Sequence, residues 1–323
     1  MARYLITGIA GFIGSTLAHA LVKQGHEVAG IDNLSTGSLD NLADIRHQIS
    51  FEQMDLQDVA GVRSACGGID FILHQGAVAS VPRSVKDPLG SHESNVNGTL
   101  NLLIAARDAK VRRIVYAASS SAYGDQPTQP KQEDMPPLPL SPYAVQKLTC
   151  EYYIQSFFLA YGLEGICLRY FNIFGPRQAA DSPYSGVIAQ FTYKMMARET
   201  PTIFGDGLTS RDFNYVDNAV SANLQACLAP SAVATGRVFN IGTGKSHTLN
   251  EVYFAIAGHL GFTGKPNYGP PREGDIKHSL ADINRATKEL GYQPKAGFHE
   301  GLGKTVAWYL AEREKSPVAV VQR

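Results

Sequence analysis

Residues 7–14 read TGIAGFIG and follow directly on a short β-branched run, RYLIT. Gly8, Gly11 and Gly14 therefore fall in the turn between a first strand and a first helix. Such a turn needs residues without a Cβ where backbone amides approach a pyrophosphate at a helix N-terminus. Glycine-rich turns are common, so the triplet alone decides little. An acid at the end of the second strand, Asp32 in GIDNLSTG, makes the pattern specific. HEVAGID, ISFEQMD, IDFILH, RRIVYAA and EGICLRY read as further strands with helical stretches or loops between them. Repeated βα units imply a parallel sheet covered on both faces.

The expected architecture is α/β: a doubly wound parallel sheet of the Rossmann type with a smaller C-terminal α/β substrate lobe. Residues 1–175 would form the NAD-binding domain and residues 176–323 mainly the substrate-binding lobe. The strand near 237–241, in VFNIG, is apolar enough to return to the main sheet. Beyond Gly175 the Pro- and Gly-rich segments GPRQAADSPYSG, FGDGLTS and YGPPREGD read as ligand-bearing loops. Thr248 and Glu251 have capping-box spacing. The final SPVAVVQR reads as a frayed tail.

Composition excludes several other classes. Lys plus Arg equals Asp plus Glu at 29 each, which leaves no basic field for nucleic acid and no cationic face for a membrane. Cys66, Cys150, Cys167 and Cys227 are scattered without CxxC spacing, and the histidines form no ligand cluster. Reduced packing thiols in a cytoplasmic protein are expected, with neither a disulfide framework nor a metal site. Strand-like RYLITG begins at once, leaving no room for a signal peptide, and no apolar run approaches a membrane span.

The cofactor pattern favours NAD. A carboxylate at Asp32 can accept both adenosine ribose hydroxyls and would repel a 2′-phosphate, and no arginine follows at once. Asp55 and Leu56, after the third strand, would flank the adenine, although Asp55 suits a simple helix cap almost as well. Gln75, Gly76 and Ala77, after the fourth strand, offer close backbone approach.

A reaction is suggested by SPYAVQK. Ser141 and Pro142 open a helix, which puts Tyr143 and Lys147 one turn apart on one face. Packing plus a surface lysine would explain an isolated pair of this kind. The chemical reading is a phenol made acidic by a cation. A free phenol titrates near 10, and reaching about 7 needs roughly 4 kcal/mol of differential stabilisation. YAASSSAYG ends the fifth strand, at the sheet edge where such folds bind ligands. It can place a serine hydroxyl beside that phenol.

TGIAGFIG, DNLSTG, HQGA, SSSAYG, SPYAVQK, RYFNIFGPRQ, SRDFNYVDN and REGD occur in order over nearly the full length. In these motifs the chain resembles the extended short-chain dehydrogenase/reductases of the UDP-hexose 4-epimerase family. The resemblance implies that Tyr143 takes the sugar 4-hydroxyl proton while C4 gives hydride to NAD⁺. The 4-ketose then turns over and receives the hydride on its other face. Ser119 would bond the reacting oxygen, and Lys147 would bind nicotinamide ribose and lower the tyrosine pKa. Phe12, Ile13, Asn33, Ser35, Thr36, Gly37, Asn95 and Tyr170 complete the implied cofactor set. On the substrate side, Asn172, Arg211 and Arg272 would hold the diphosphate and Asp275 the uridine ribose. Thr202 and Phe204 would grip the uracil, Gly186 and Val187 would give backbone contacts, and Ser80, Arg83, Ser120 and Ser121 would neighbour the sugar.

Related dehydratases carry an Asp-Glu pair where this chain has Ser120-Ser121, and related decarboxylases have a glutamate nearby. The resemblance therefore favours epimerisation over the sister reactions on UDP-glucuronate, decarboxylation or dehydration. Ser279 stands where a bulky tyrosine would restrict the pocket to plain hexoses. With SVPRS and SSSAYG, it resembles the branch that acts on UDP-N-acetylglucosamine. A catalytically silent NAD-binding sensor would tend to lose Ser119, Tyr143 or Lys147, and all three are present. The apolar faces of the helix from Pro142 and of the segment around Leu100–Ala106 suggest a homodimer.

Overall fold

The computed structural model describes residues 1–180, 185–271 and 276–315. Arg3–Thr7 (β1) leads through the glycine turn into Phe12–Lys23 (α1), followed by Glu27–Asp32 (β2), Ser50–Gln53 (β3), Val59–Ala65 (α2) and Phe71–His74 (β4). Two short helices, Val81–Lys86 (α3) and Pro88–His92 (α4), run through a π-type turn into Gly98–Asp108 (α5). Arg113–Ser119 (β5), Pro142–Tyr161 (α6) and Glu164–Tyr170 (β6) complete the first half. The second half begins with Ile173–Phe174 (β7), Val187–Met196 (α7), Thr202–Phe204 (β8), Ser210–Arg211 (β9), Asn214–Tyr215 (β10) and Val216–Leu228 (α8). It continues through Thr235–Ile241 (β11), His247–Thr248 (β12), Leu249–Leu260 (α9), Asn267–Gly269 (β13), His278–Ser279 (β14), Asn284–Leu290 (α10) and Phe298–Lys315 (α11).

Seven strands form the central sheet in the order β3-β2-β1-β4-β5-β6-β11, every pairing parallel. Strand order reverses between β1 and β4, and ligands of such sheets sit in the crevice outside that switch point. The strand at 235–241 lies beside β6, so the chain crosses back to the main sheet after starting its second lobe.

The sheet is buried on both faces. Leu17 and Leu21 of α1, Val220 of α8 and Leu290 of α10 pack on one side. Leu102 and Leu103 of α5 and Ile154 and Phe157 of α6 pack on the other. Each such side chain contributes about 1.5–3 kcal/mol when fully buried. A separate core, with Phe174, Phe213, Tyr253 and Phe298, holds α7, α9 and α11 together in the smaller lobe. Fully buried Arg113 ties sheet and helix layers. Its Nη1 donates to the carbonyls of Ala226, Cys227 and Ala229 at the C-terminal end of α8, while Nε and Nη2 donate to Glu164. A cation suits a helix C-terminus, where carbonyls lack partners.

Local signals act as the sequence requires. Ser141 caps α6 by accepting from the Ala144 amide, Pro142 occupies its first turn, and Gly162 ends it at φ +72°. Thr248 and Glu251 form the reciprocal capping box of α9. All four cysteines are buried free thiols. Among the described residues no helix is long and apolar enough to cross a membrane, and no cluster of potential metal ligands occurs. The tail residues 316–323 lie outside the described residues.

Candidate active site

The carboxyl ends of β1, β2, β4, β5 and β6 open onto one cleft of about 1230 Å³. Its floor is made of turns packed backbone to backbone. Gly8 sits at φ +67°, and a Cβ there would lie 2.8 Å from both Cα and N of Gly76. A Cβ on Gly14 would lie 2.1 Å from the Gly8 carbonyl oxygen. Only glycine permits this, and the result is a shallow cradle at the N-terminus of α1. The Gly76 amide donates to Thr7 Oγ1, which locks the β4 turn to the β1 turn.

Asp32 closes the second side. One carboxylate oxygen accepts from the Ala10 amide at 2.9 Å and the other from Leu34 at 2.8 Å. Burial pushes this carboxyl up, and the two amide bonds pull it back down. Asn33 donates to Asp55, whose other oxygen accepts from the Gln57 amide in a local turn; Asp55 lines the cleft, and the cap of α2 is Asp58. Tyr170 donates to Gln75 and accepts from Asn223, which fixes its ring at the cleft wall. A glycine cradle and a ribose-facing carboxylate at one sheet edge fit a dinucleotide.

Ser119, Tyr143 and Lys147 line the same cleft. Ser119 Oγ accepts from the amide and the hydroxyl of Ser121. The Tyr143 amide donates to Ser84, which seats the first turn of α6. Lys147 is 3% exposed, and its Nζ donates to the Ala117 carbonyl at 2.8 Å. It lies 4.7 Å from the Tyr116 ring centre and 6.0 Å from that of Tyr143.

The expected acidification of Tyr143 needs correction. Burial raises the phenol above its ordinary value, and a hydrogen bond with Ser119 pulls it down only in part. Lys147 Nζ stands 6.0 Å from the centre of the Tyr143 ring, and its cation favours the phenolate against that burial. Burial also pulls Lys147 itself down to about 8.

With Ser119, the expected cofactor residues Gly8, Gly11, Phe12, Ile13, Gly14, Asp32, Asn33, Ser35, Thr36, Asp55, Leu56, Gln75, Gly76, Ala77, Tyr143, Lys147 and Tyr170 line the cleft, as do Ser120, Asn172 and Gly186. Gly37 packs behind the first turn, where a Cβ would lie 2.9 Å from the Ala10 carbonyl carbon. Asn95 does not face the cleft. Its amide oxygen accepts from the Val78 amide and its nitrogen donates to Gln146, so it braces the β4 turn from inside. Ser80 caps α3 by accepting from the amide of Arg83, and neither lines the cleft. Ser121 is turned to Ser119, and Val187 begins α7 behind Gly186.

Thr202 and Phe204 sit on β8, while Arg211 and Ser279 are paired neighbours on β9 and β14 of the smaller lobe, outside the cleft lining. Arg211 Nη1 donates to the carbonyls of Ser210 and Lys277. The Asp212 carboxylate accepts from Thr243 and Gly244. Arg272 and Asp275 lie outside the described residues.

Sequence reasoning missed the cleft's outer wall, formed by Arg177, Gln178 and Tyr193 with Trp308, Tyr309 and Glu312 of α11. Tyr309 hydrogen-bonds the Gln178 carbonyl, and Arg177 donates to Thr16 of α1. Arg177 and Gln178 lie in the motif RYFNIFGPRQ, which was a usable signal. Nothing in α11 distinguishes it from an ordinary amphipathic helix.

Residues 4–242 match the family described as the NAD dependent epimerase/dehydratase family. The chain belongs to this family. NAD is accordingly its cofactor. Among relatives, a UDP-glucose 4-epimerase of Mycolicibacterium smegmatis is 39% identical over 95% of this chain and 98% of its own. A solved UDP-N-acetylglucosamine 4-epimerase from Methanobrevibacter ruminantium, in complex with UDP-N-acetylmuramic acid, superposes with a TM-score of 0.92 at 38% identity, covering 96% and 99% of the two chains. The UDP-glucose 4-epimerase of Thermotoga maritima with UDP-glucose gives 0.91 at 35% identity, covering 96% and 99%. A relative named for a different UDP-sugar is also similar: a UDP-glucuronate 4-epimerase of Thermodesulfobacterium geofontis is 33% identical over 95% of this chain and 96% of its own.

Proposed function

We propose that this chain is an NAD-dependent UDP-hexose 4-epimerase that interconverts UDP-GlcNAc and UDP-GalNAc through a 4-ketose, with UDP-Glc and UDP-Gal as a second pair. The carrying observation is that Ser119, Tyr143 and Lys147 share one cleft with the glycine cradle and Asp32. Bound NAD⁺ supplies a hydride acceptor and a positive ring. Tyr143 takes the 4-hydroxyl proton and returns it. Ser119 hydrogen-bonds the reacting oxygen, and Lys147 offsets the phenolate charge. Asn172 and Arg211 hold the diphosphate, for which a guanidinium fork is suited. Ser120 and Ser121 leave no acid–base pair for removing water, which favours epimerisation over dehydration. Purified protein should therefore interconvert UDP-sugars with no added redox partner. Stoichiometric release of NADH with net substrate oxidation would instead mark a dehydrogenase.

The acetylated substrate rests on Ser279, a small residue next to Arg211 on the paired strand. Ser279→Tyr should cut kcat/KM for UDP-GlcNAc by about 5- to 150-fold while leaving UDP-Glc within a few-fold, since an overfilled pocket costs about 1–3 kcal/mol. Assaying both sugars side by side checks this. Equal losses on both would remove the pocket argument.

The same reading includes a homodimer. Val145, Tyr152 and Leu159 recur along the outer face of α6 at 49%, 56% and 76% exposure, an apolar stripe that water covers poorly. Sedimentation at micromolar concentration should give twice the chain mass, and a clean monomer would refute it.

A further inference from the structure

Tyr143, Lys147 and Glu151 recur at four-residue intervals on α6 and so form one stripe pointing into the sheet. Glu151 is 4% exposed, and the cleft does not reach it. Its two carboxylate oxygens accept from Nε and Nη2 of Arg169, at 2.9 and 2.7 Å, in a bidentate pair. Arg169 comes from β6, is itself buried, and stacks 4.7 Å from the Tyr123 ring centre. An ion pair so deep is costly to desolvate and is weak evidence for stability. Its position one turn below the lysine of the reacting stripe suggests another use.

We infer that Glu151 and Arg169 are positioning residues for the reaction: the Glu151 carboxylate, held ionised by Arg169, is the buried counter-charge that keeps Lys147 cationic. The inference rests on the reading of Tyr143 and Lys147 as the reacting pair. Lys147 Nζ meets a neutral carbonyl and an aromatic face, and neither replaces the water that burial removes.

The groups around it supply no other permanent anion. On α6, burial raises Cys150, which stays neutral; burial also raises Tyr143, whose phenolate exists only as the reacting base and is not a standing counter-charge. From β5, Tyr116 is raised still more strongly. From β4, His74 is pushed down to about 3 and stays neutral. From β6, Cys167 is raised and Arg169 is cationic. Tyr123, in the turn after β5, is raised to about 12. The π-type turn and α5 present the neutral Asn95 and Thr99. Lys86 and Asp87 at the end of α3, and His92 of α4, are exposed. Burial lowers Lys147, and Cys150 and then Glu151 raise it; with the Cys150 thiol neutral, Glu151 is the charged member of that pair, and Arg169 in turn lowers Glu151 against its own burial. The relay has a direct consequence: removing either member discharges Glu151, by deletion or by protonation.

Glu151→Gln, Arg169→Gln and the double variant should therefore share one phenotype. In the holoenzyme, the alkaline limb of the kcat profile should move down by about one pH unit in all three. With Lys147 at about 8, this reads as about a fivefold loss at pH 8 and a much smaller one near pH 6.5. The effects should not add in the double variant, and Glu151→Asp should restore most of the limb. A double variant that folds, retains NAD and keeps the parental limb overturns the inference. The unsubstituted holoenzyme gives a second measurement that needs no folded variant. NMR of the lysine side chains, with Lys147 assigned from Lys147→Met spectra, should find its ammonium protonated at pH 7, and a neutral amine there overturns the inference equally. Should Tyr143→Phe retain turnover, the reaction assignment itself fails. An inactive Tyr143→Phe beside an unshifted double variant defeats only the role of the pair.

Discussion

Replacing Tyr143 with phenylalanine is expected to lower kcat by about 10²–10⁴-fold, the scale of a lost general acid–base group. The substitution removes one oxygen and leaves the seating of α6 intact, because Ser84 is bonded to the Tyr143 main chain and not to its ring. Lys147 keeps its bond to Ala117, and the glycine cradle lies on other elements. NAD content and thermal stability should therefore remain close to those of the parent. Epimer interconversion followed by chromatography, beside cofactor content after denaturation, separates the two outcomes. A variant within tenfold of parental kcat would show that some other group takes the proton.

Gly14→Ala should act at the opposite end of the cleft and through sterics alone. The added Cβ would meet the Gly8 carbonyl oxygen at 2.1 Å and the Gly8 carbon at 2.8 Å, both backbone atoms that no rotamer change can move away. The turn must open or α1 must shift, at a cost of about 3 kcal/mol. The shift disperses the amides that face the pyrophosphate. The purified variant is expected to lose most of its bound NAD and to unfold at a lower denaturant midpoint. Gly258→Ala is the control. It lies in α9 with nothing within 4 Å of its added Cβ. A helix-interior alanine there should be neutral or stabilising by about 0.5–1 kcal/mol. A Gly14→Ala protein that retains NAD as the parent does would mean that the turn is looser than its packing indicates.

The two predictions draw on different kinds of information. The glycine turn, Asp32 and the strand alternation were legible because each depends on neighbours in sequence: a turn without Cβ atoms, an acid at a strand end, a period of two against 3.6. The course of α6 was legible for the same reason, since Ser141, Pro142 and Gly162 act on adjacent backbone groups. The orientation of Asn95 was not legible, because its spacing says nothing about which way its amide turns. It turns inward to the backbone of the β4 turn and to Gln146.

The parallel sheet, the cofactor turn and the four-residue spacing of Tyr143 and Lys147 follow from short-range covalent geometry and were written in the residue order. The electrostatics of that pair arose on folding. Burial sets the dielectric around a charge, and burial comes from contacts between distant segments. Folding thus leaves the phenol less acidic than a free one, turns the ammonium toward Ala117 and seals Glu151 against Arg169 beneath them. It also brings α11 from the far end of the chain to the outer wall of the cleft.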